Sequence, residues 1–199
     1  MTLSEGLLLQ FGLSIYFDAS LLSIVTANRV LEAKPMIEMR VAGIALDAVT
    51  RSPIVLLKDG SDRRALPIFI GQDQAKAIIG ALEQQKPPRP LTHDLISNIF
   101  EVWGMKLEKV IIHSLQDNTF YAVLCLHQGE TKKEIDCRPS DAIAIALRTN
   151  SPIWVMEEVV ADASIPVDRD ADEEERQAFR KFISTLRPED LIKRGGTDS

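Results

Sequence analysis

The segment 136–141, with the sequence DCRPSD, constrains the fold most, because it joins an alternating strand pattern directly to a helix. Proline fixes φ for a first helical turn, and Ser140 and Asp141 lie where free helix N–H groups favour an acceptor and a negative charge. The helix carries Ile143 and Leu147 four residues apart and is otherwise rich in alanine, so we expect it to be buried. Polar groups at a buried helix start need partners or a ligand. This helix start is therefore a candidate functional site.

Composition and charge exclude several kinds of partner and site. The 199 residues carry a formal net charge of -6 with a pI near 5.2, so the field of the whole protein repels nucleic acid and anionic membranes. Phosphate chemistry would therefore need local cations. Cys125 and Cys137 form no C-x-x-C pattern, which argues against a zinc site or a disulfide framework and favours a reducing, cytoplasmic location.

Residues 1–35 differ from the rest of the chain. They are largely apolar, but Asp18 interrupts them before any apolar span approaches the ~20 residues that a membrane helix needs. The only charge ahead of the apolar run is Glu5, whereas a secretory signal begins with basic residues. Two interpretations stay open: an upstream extension, with synthesis starting at Met36, or a loosely packed amphipathic segment. We expect no membrane association and a domain that spans 36–160.

Periodicity predicts the secondary structure of that domain. Strand patterns occur at 36–46, 54–57, 65–70, 106–115, 119–126, 131–137 and 153–155. Helical patterns occur at 72–85, at 93–103 with Thr92 as the N-cap, and from Pro139 onward. We therefore predict an α+β fold, a compact single domain in which three helices pack on a mixed β-sheet. Residues 161–199 form an acidic tail with one C-terminal surface helix, at 172–186.

Two of the predicted helices start in the same way. Arg89-Pro90 precedes Thr92-His93-Asp94, and Arg138-Pro139 precedes Ser140-Asp141. Free N–H groups at two helix starts, each beside an arginine, could form one anion site. The alternative is structural, in which each aspartate caps its own helix and pairs with the neighbouring arginine.

Carboxylates near these helix starts suggest a metal-assisted reaction. Hydrolysis of a phosphodiester usually requires carboxylates that hold a divalent metal and activate water, and Asp94, Asp136 and Asp141, with His93, are the available set. His113 is better explained as an ordinary strand residue. Walker, nucleophile-elbow and zinc-protease motifs do not occur in the sequence.

Four blocks carry a resemblance to a known family. They are PIFIG at 67–71, RPLTHD at 89–94, TFYA at 119–122 and RPSDAIA at 138–144. With these blocks in this order, the chain resembles the bifunctional nuclease (BFN) domain family over about residues 36–160. The resemblance implies a compact α+β domain with a mixed sheet, a homodimer, and nuclease activity on both DNA and RNA.

The predicted function is therefore hydrolysis of phosphodiester bonds in DNA and RNA, assisted by a divalent metal such as Mg or Mn. Its predicted site has three groups of residues: catalytic His93, Asp94 and Asp141; substrate-binding Arg89, Thr92, Arg138 and Ser140; and metal-binding Asp94, Asp136 and Asp141. The alternative is a non-catalytic regulatory module that binds an anion or an acidic partner through Arg89 and Arg138.

Overall fold

The computed structural model describes residues 34–47 and 49–167, all of which belong to one compact unit. The predicted N-terminal extension, apart from its last two residues, and the tail helix at 172–186 lie outside the described residues.

The described part of the chain contains eight strands and four helices. The strands are β1 (Met36–Leu46), β2 (Pro53–Asp59), β3 (Arg64–Phe69), β4 (Lys106–Gln116), β5 (Thr119–Gln128), β6 (Thr131–Cys137), β7 (Ile153–Met156) and β8 (Ile165–Pro166). The helices are α1 (Gln72–Leu82), α2 (Thr92–Val102), α3 (Pro139–Thr149) and α4 (Glu157–Ala163). All seven predicted strands and the three predicted domain helices are present, with bounds shifted by a few residues.

The strands form one mixed sheet in the order β6-β5-β4-β7-β1-β2-β3-β8. Only β4 and β7 pair in parallel, and every other neighbouring pair is antiparallel. Strand β6 therefore runs in the same direction as β7, with β5 and β4 between them, and α3 connects the two. The structure confirms the predicted α+β fold with a mixed sheet.

Helix α3 is the buried helix of the domain. Residues 142–146 are each at most 2% exposed, and the helix contacts α1, α2, β4 and β5. Its alanines allow this close approach on several sides, as the sequence predicted. The helix ends at Thr149 and is capped by Asn150, whose backbone is left-handed (φ 52°), a conformation that asparagine adopts readily.

Tight turns fix the register of the strands that lead to α3. Asp117 and Asn118 both have positive φ, 47° and 62°, in the two-residue turn between β4 and β5. This conformation matches the twist of a β-hairpin, and aspartate and asparagine tolerate it better than most residues. This turn sets the register between β4 and β5, the two strands that precede β6 and α3.

Two elements were not predicted. Helix α4 has only seven residues and follows β7 without a break, and β8 has only two residues. Both are too short to produce a periodic pattern. The buried residues of α4, Val159, Val160 and Ala163, lie in a helix that contacts β1, β3, β4 and β7, so tertiary packing stabilises it.

The predicted N-cap of α2 was wrong by one residue. Leu91 is the N-cap and Thr92 is already helical. The Asp94 carboxylate accepts a hydrogen bond from the Leu91 backbone N–H at 2.9 Å, so Asp94 stabilises the helix start in place of Thr92. Within 34–47 and 49–167, the structure has no helix both long and apolar enough to cross a membrane.

Candidate functional site

The starts of α2 and α3 meet at the carboxylate of Asp141. Arg138 donates from Nε to Oδ2 at 2.6 Å and from Nη2 to Oδ1 at 3.1 Å. His93 Nε2 lies 3.2 Å from the same Oδ1. Because His93 and Asp141 belong to different helices, this contact confirms that the two helix starts lie together.

The contact with Asp141 determines which nitrogen of His93 is available. A carboxylate can only accept a hydrogen bond, so Nε2 carries the proton. Within the described residues, Nδ1 of His93 has no hydrogen-bond partner. The ring is largely buried, and its residue lines an open groove together with Asp141 and Arg138. This arrangement leaves Nδ1 able to accept a proton.

Two effects of opposite sign act on the Asp141 carboxyl. Burial raises its pKa, but hydrogen bonds from Arg138 and His93 and the charges of both residues outweigh burial, so the net pKa is lowered. In return, Asp141 raises the pKa of Arg138. Asp141 is therefore a carboxylate ion at neutral pH and suits the stabilisation of a protonated imidazole.

Asp94 has different partners. Its Oδ1 accepts a hydrogen bond from Arg148 Nε at 2.5 Å, and its Oδ2 accepts one from the Leu91 N–H. Arg148 Nη1 also donates to the backbone carbonyls of Ala77 at 3.0 Å and Ala144 at 2.9 Å. One guanidinium thus links α1, α2 and α3. Burial raises the pKa of Asp94, whereas the hydrogen bonds from Arg148 and Leu91 lower it. The lowering is larger, so the net pKa shift is downward.

The predicted pairing of arginines with aspartates is half correct. Arg138 pairs with Asp141, as the structural interpretation predicted. For Asp94 the prediction was wrong, because its partner is Arg148, whereas Arg89 is exposed and has no ion pair or hydrogen bond with another described residue. The signal for Arg148 was present, since a cation on an otherwise buried helix needs an acceptor.

The Asp136 side chain lies on the face of the sheet opposite the one that lines the groove. Its neighbours Ile135 and Cys137 line the groove, and successive side chains of a strand alternate between faces. On the other face Asp136 acts on His113: burial lowers the pKa of that histidine, and the charge of Asp136 opposes the effect. Asp136 is therefore separated from Asp94 and Asp141.

This separation bears on the predicted metal ligands. Both oxygens of Asp94 and both of Asp141 already accept hydrogen bonds from donors of the protein. In the part of the chain that the structure describes, no group of three or more His, Cys, Asp or Glu side chains is arranged to hold a metal ion. The roles of Asp94, Asp136 and Asp141 as metal ligands stay predictions. The need for a divalent metal stays a prediction.

The groove that holds Asp141 has a volume of about 940 Å³. Apolar residues of α2, α3 and the sheet, among them Ile96, Phe100, Leu124 and Ile145, form part of its lining. Cys137 also lines it, but burial and the nearby Asp136 and Asp141 charges raise the pKa of its thiol to about 12. The thiol is therefore protonated at neutral pH and is a poor nucleophile.

The predicted substrate-binding residues divide between two cavities and the open surface. Thr92 and Arg138 line the groove. Ser140 lines a separate cavity, which also includes Arg138, and Arg89 lies on the surface. Their binding roles stay predictions, as do the catalytic roles of His93, Asp94 and Asp141.

Comparison with known families places this site in context. The Bifunctional nuclease domain family matches residues 55–168, which include every contact of Asp94 and Asp141 described above. The chain belongs to this family. An uncharacterized protein of Mycobacterium tuberculosis is 42% identical over 164 residues, which cover 77% of this chain and 97% of that protein.

Plant members of the family are more distant and longer. Bifunctional nuclease 1 of Oryza sativa subsp. indica is 29% identical over 150 residues, 72% of this chain and 45% of the rice protein. Bifunctional nuclease 2 of Arabidopsis thaliana is 27% identical over 107 residues, 52% of this chain and 32% of the plant protein. The alignments thus span less than half the length of either plant protein.

Proposed function

We propose that this protein hydrolyses phosphodiester bonds of DNA and RNA in the groove that holds Asp141. The observation that carries the proposal is the chain of contacts from Arg138 to Asp141 to His93, in a member of the bifunctional nuclease domain family. It joins a phosphate-binding cation, an ionised carboxylate and an imidazole in one open groove.

His93 is the proposed general base. Its Nδ1 takes a proton from a water molecule whose oxygen attacks phosphorus, while Asp141 holds the ring and stabilises the imidazolium through Nε2. The bond from phosphorus to the leaving ester oxygen breaks, and that oxygen takes its proton from the imidazolium or from water. A histidine held by a carboxylate has this combination of basicity and fixed orientation.

Arg138 is the proposed phosphate-binding residue. Its Nε and Nη2 bind Asp141, and its Nη1 has no hydrogen-bond partner in the described part of the chain. The side chain is 68% exposed, so Nη1 is accessible to a phosphate oxygen. Arginine suits this role because its planar guanidinium binds a carboxylate and a phosphate at the same time.

A divalent metal, Mg or Mn, belongs to the proposal as a separate hypothesis. Such an ion would polarise the phosphate and lower the pKa of the attacking water. The carboxylates of Asp94 and Asp141 already accept hydrogen bonds from the protein. The steps assigned to His93 and Arg138 use neither carboxylate as a metal ligand, so these steps do not depend on the ion.

The decisive experiment measures cleavage of single-stranded DNA, double-stranded DNA and RNA by the purified full chain. Each substrate is tested with added Mg²⁺ or Mn²⁺ and with a chelator. The variant His93→Gln should abolish cleavage, and the control His127→Gln, at the end of β5, should not. Wild-type protein that cleaves none of the substrates under any condition would overturn the proposal.

A non-catalytic anion- or partner-binding module is the second candidate. The exposure of Arg89 favours it, because this cation precedes α2 and has no described partner. In the same experiment, binding of nucleic acid without turnover, weakened by Arg89→Gln, would support the module and exclude the enzyme.

We also propose a homodimer that uses the outer face of α2. Five apolar residues are exposed there: Leu91, Leu95, Ile99, Val102 and Trp103. The ends of the sheet are less suited to pairing, because β6 carries the exposed Lys132 and Lys133 and β8 has only two residues. A second copy would cover the apolar face, since such faces mark contact surfaces.

A cytoplasmic location is the remaining part of the proposal. Neither Cys125 nor Cys137 forms a disulfide in the described part of the chain, and a reducing compartment keeps cysteines in this state.

A further inference from the structure

A second cavity, of about 260 Å³, lies between the start of α1 and the start of α3. Gly71 and Gln74 line it from α1, and Arg138 and Ser140 line it from α3. The cavity shares Arg138 and Gln74 with the groove, but its described lining includes neither His93 nor Asp141. It is therefore a separate site from the one proposed for hydrolysis.

The charges around this cavity favour an anion. Helices α1 and α3 each have 11 residues, and neither start has a side-chain hydrogen bond to its cap. The N–H groups of their first turns and the positive ends of their dipoles thus lack a side-chain acceptor at the cap. Arg138 is the one charged residue among the described residues that line the cavity.

The acidic residues of these first turns lie elsewhere. Asp73 and Asp141 line the groove and not this cavity. Asp73 pairs with Lys76 at 3.4 Å, and Asp141 pairs with Arg138. Lys76 and Arg138 thus partly compensate these two charges, and the described lining of the cavity contains no carboxylate.

Ser140 is an independent indication of a ligand. The residue is only 7% exposed and lines the cavity. Its hydroxyl oxygen has no hydrogen-bond partner among residues 34–47 and 49–167, and it keeps some accessible surface, so a group in the cavity can reach it. A bound anion would give this hydroxyl an acceptor beside the N–H groups of the helix start.

We propose that this cavity binds the phosphate group of a free phosphate ion or of a nucleoside monophosphate. The Ser140 hydroxyl and Nη1 of Arg138, the same donor that is proposed for substrate phosphate in the groove, donate to the phosphate oxygens. The first turn of α1 and the Ser140 N–H supply backbone donors, because Pro139 has no N–H and the Asp141 N–H is bonded to the Arg138 carbonyl. Phe69 and Phe120 also line the cavity and are partly buried, so a nucleobase attached to the phosphate has aromatic surfaces to stack on. Binding requires no hydrolysis and does not depend on the proposed nuclease activity.

The test is calorimetric titration of the full chain in chloride buffer, with inorganic phosphate in one arm and adenosine 5′-monophosphate in the other. Ser140→Ala should weaken phosphate binding at least about tenfold, since it removes a donor to a charged acceptor. Its melting temperature without ligand should stay unchanged, because the hydroxyl has no partner to lose. Arg138→Gln should also weaken binding, whereas Ser61→Ala and Arg40→Gln, outside both cavities, should not.

The two arms distinguish the sources of the phosphate. A nucleotide that binds more tightly than phosphate, with the difference removed by Phe120→Ala, identifies a nucleoside monophosphate. Equal affinities identify the free anion. Absence of saturable phosphate binding at millimolar concentration would overturn the proposal. So would an unchanged affinity in Ser140→Ala together with a loss in Arg138→Gln, because the phosphate would then occupy the groove. A failure of the nuclease assay would leave these outcomes unaffected.

Discussion

Nε of Arg148 lies 2.5 Å from Oδ1 of Asp94, a residue 54 positions earlier and on a different helix. The Arg148 side chain is only 12% exposed, and its remaining hydrogen bonds go to the carbonyls of Ala77 and Ala144. This arginine thus fixes α2, which carries His93, against α3, which carries Asp141. The pair belongs to the structure that holds the candidate site in place.

Loss of this pair should destabilise the protein. In Arg148→Met the Asp94 carboxylate loses its partner, and we expect the free energy of unfolding to fall by about 2 kcal/mol or more, as is typical when one member of a buried pair is removed. Urea denaturation measures the change. Arg40→Met, which breaks the exposed pair with Asp62, should cost less than about 1 kcal/mol. Equal losses in the two variants would contradict the structural role of Arg148.

Asp141→Asn separates a catalytic from a purely structural role of this carboxylate. If Asp141 orients His93 for catalysis, cleavage per folded molecule should fall by about 100-fold or more, whatever stability is lost with the bonds to Arg138 and His93. Cleavage and unfolding are measured on the same preparation, with Asp62→Asn as the control. Lost stability with unchanged cleavage per folded molecule would reject the catalytic role.

Acid should destabilise the protein through Asp94 and Asp141. Both have a pKa lowered from the ordinary value of 3.8 in the folded state. The two ionised carboxylates therefore contribute fully to stability above pH 3.8. This stability is lost as the pH falls through their lower pKa values in the folded state. Urea denaturation at a series of pH values below about 5 should show stability falling with pH. The double variant Asp94→Asn/Asp141→Asn should show a shallower slope, and a slope equal to that of the wild type would refute this assignment.

The thiol of Cys137 should be unreactive. Its pKa is raised to about 12, so very little thiolate exists at pH 8, and the thiolate is the reactive form. Alkylation by iodoacetamide, followed by mass spectrometry, should be much slower in the folded protein than in urea. Rapid modification of Cys137 in the folded protein at pH 8 would contradict this raised pKa.

The outer face of α2 should control self-association. Val102 and Trp103 are 82% and 67% exposed, and a charge introduced there should prevent a second copy from covering the face. We expect sedimentation to show a dimer for the wild type and a monomer for Val102→Lys. Glu130→Lys, in the turn between β5 and β6, is the matched control and should stay dimeric. A wild-type monomer at micromolar concentration would exclude the proposed dimer.

The sequence alone determined the elements of this domain, because each depends on neighbours a few residues away. Alternating apolar residues predicted the seven longer strands, and a 3.6-residue period predicted α1, α2 and α3. Pro139 and the alanines after it indicated both the start of α3 and its burial. Helix α4 was missed because seven residues give too little periodicity.

Only the tertiary structure decided which polar groups meet. Spacing along the chain suggested Arg89 for Asp94 and grouped Asp136 with Asp141, but α3 brings Arg148 to Asp94, and the pleat of β6 turns Asp136 to the other face. Ser140, two residues from Arg138, lines a cavity that excludes Asp141. These outcomes depend on the sheet order and on which helices share a face. Long-range packing determines both the sheet order and the shared helix faces, and neither can be predicted from local periodicity.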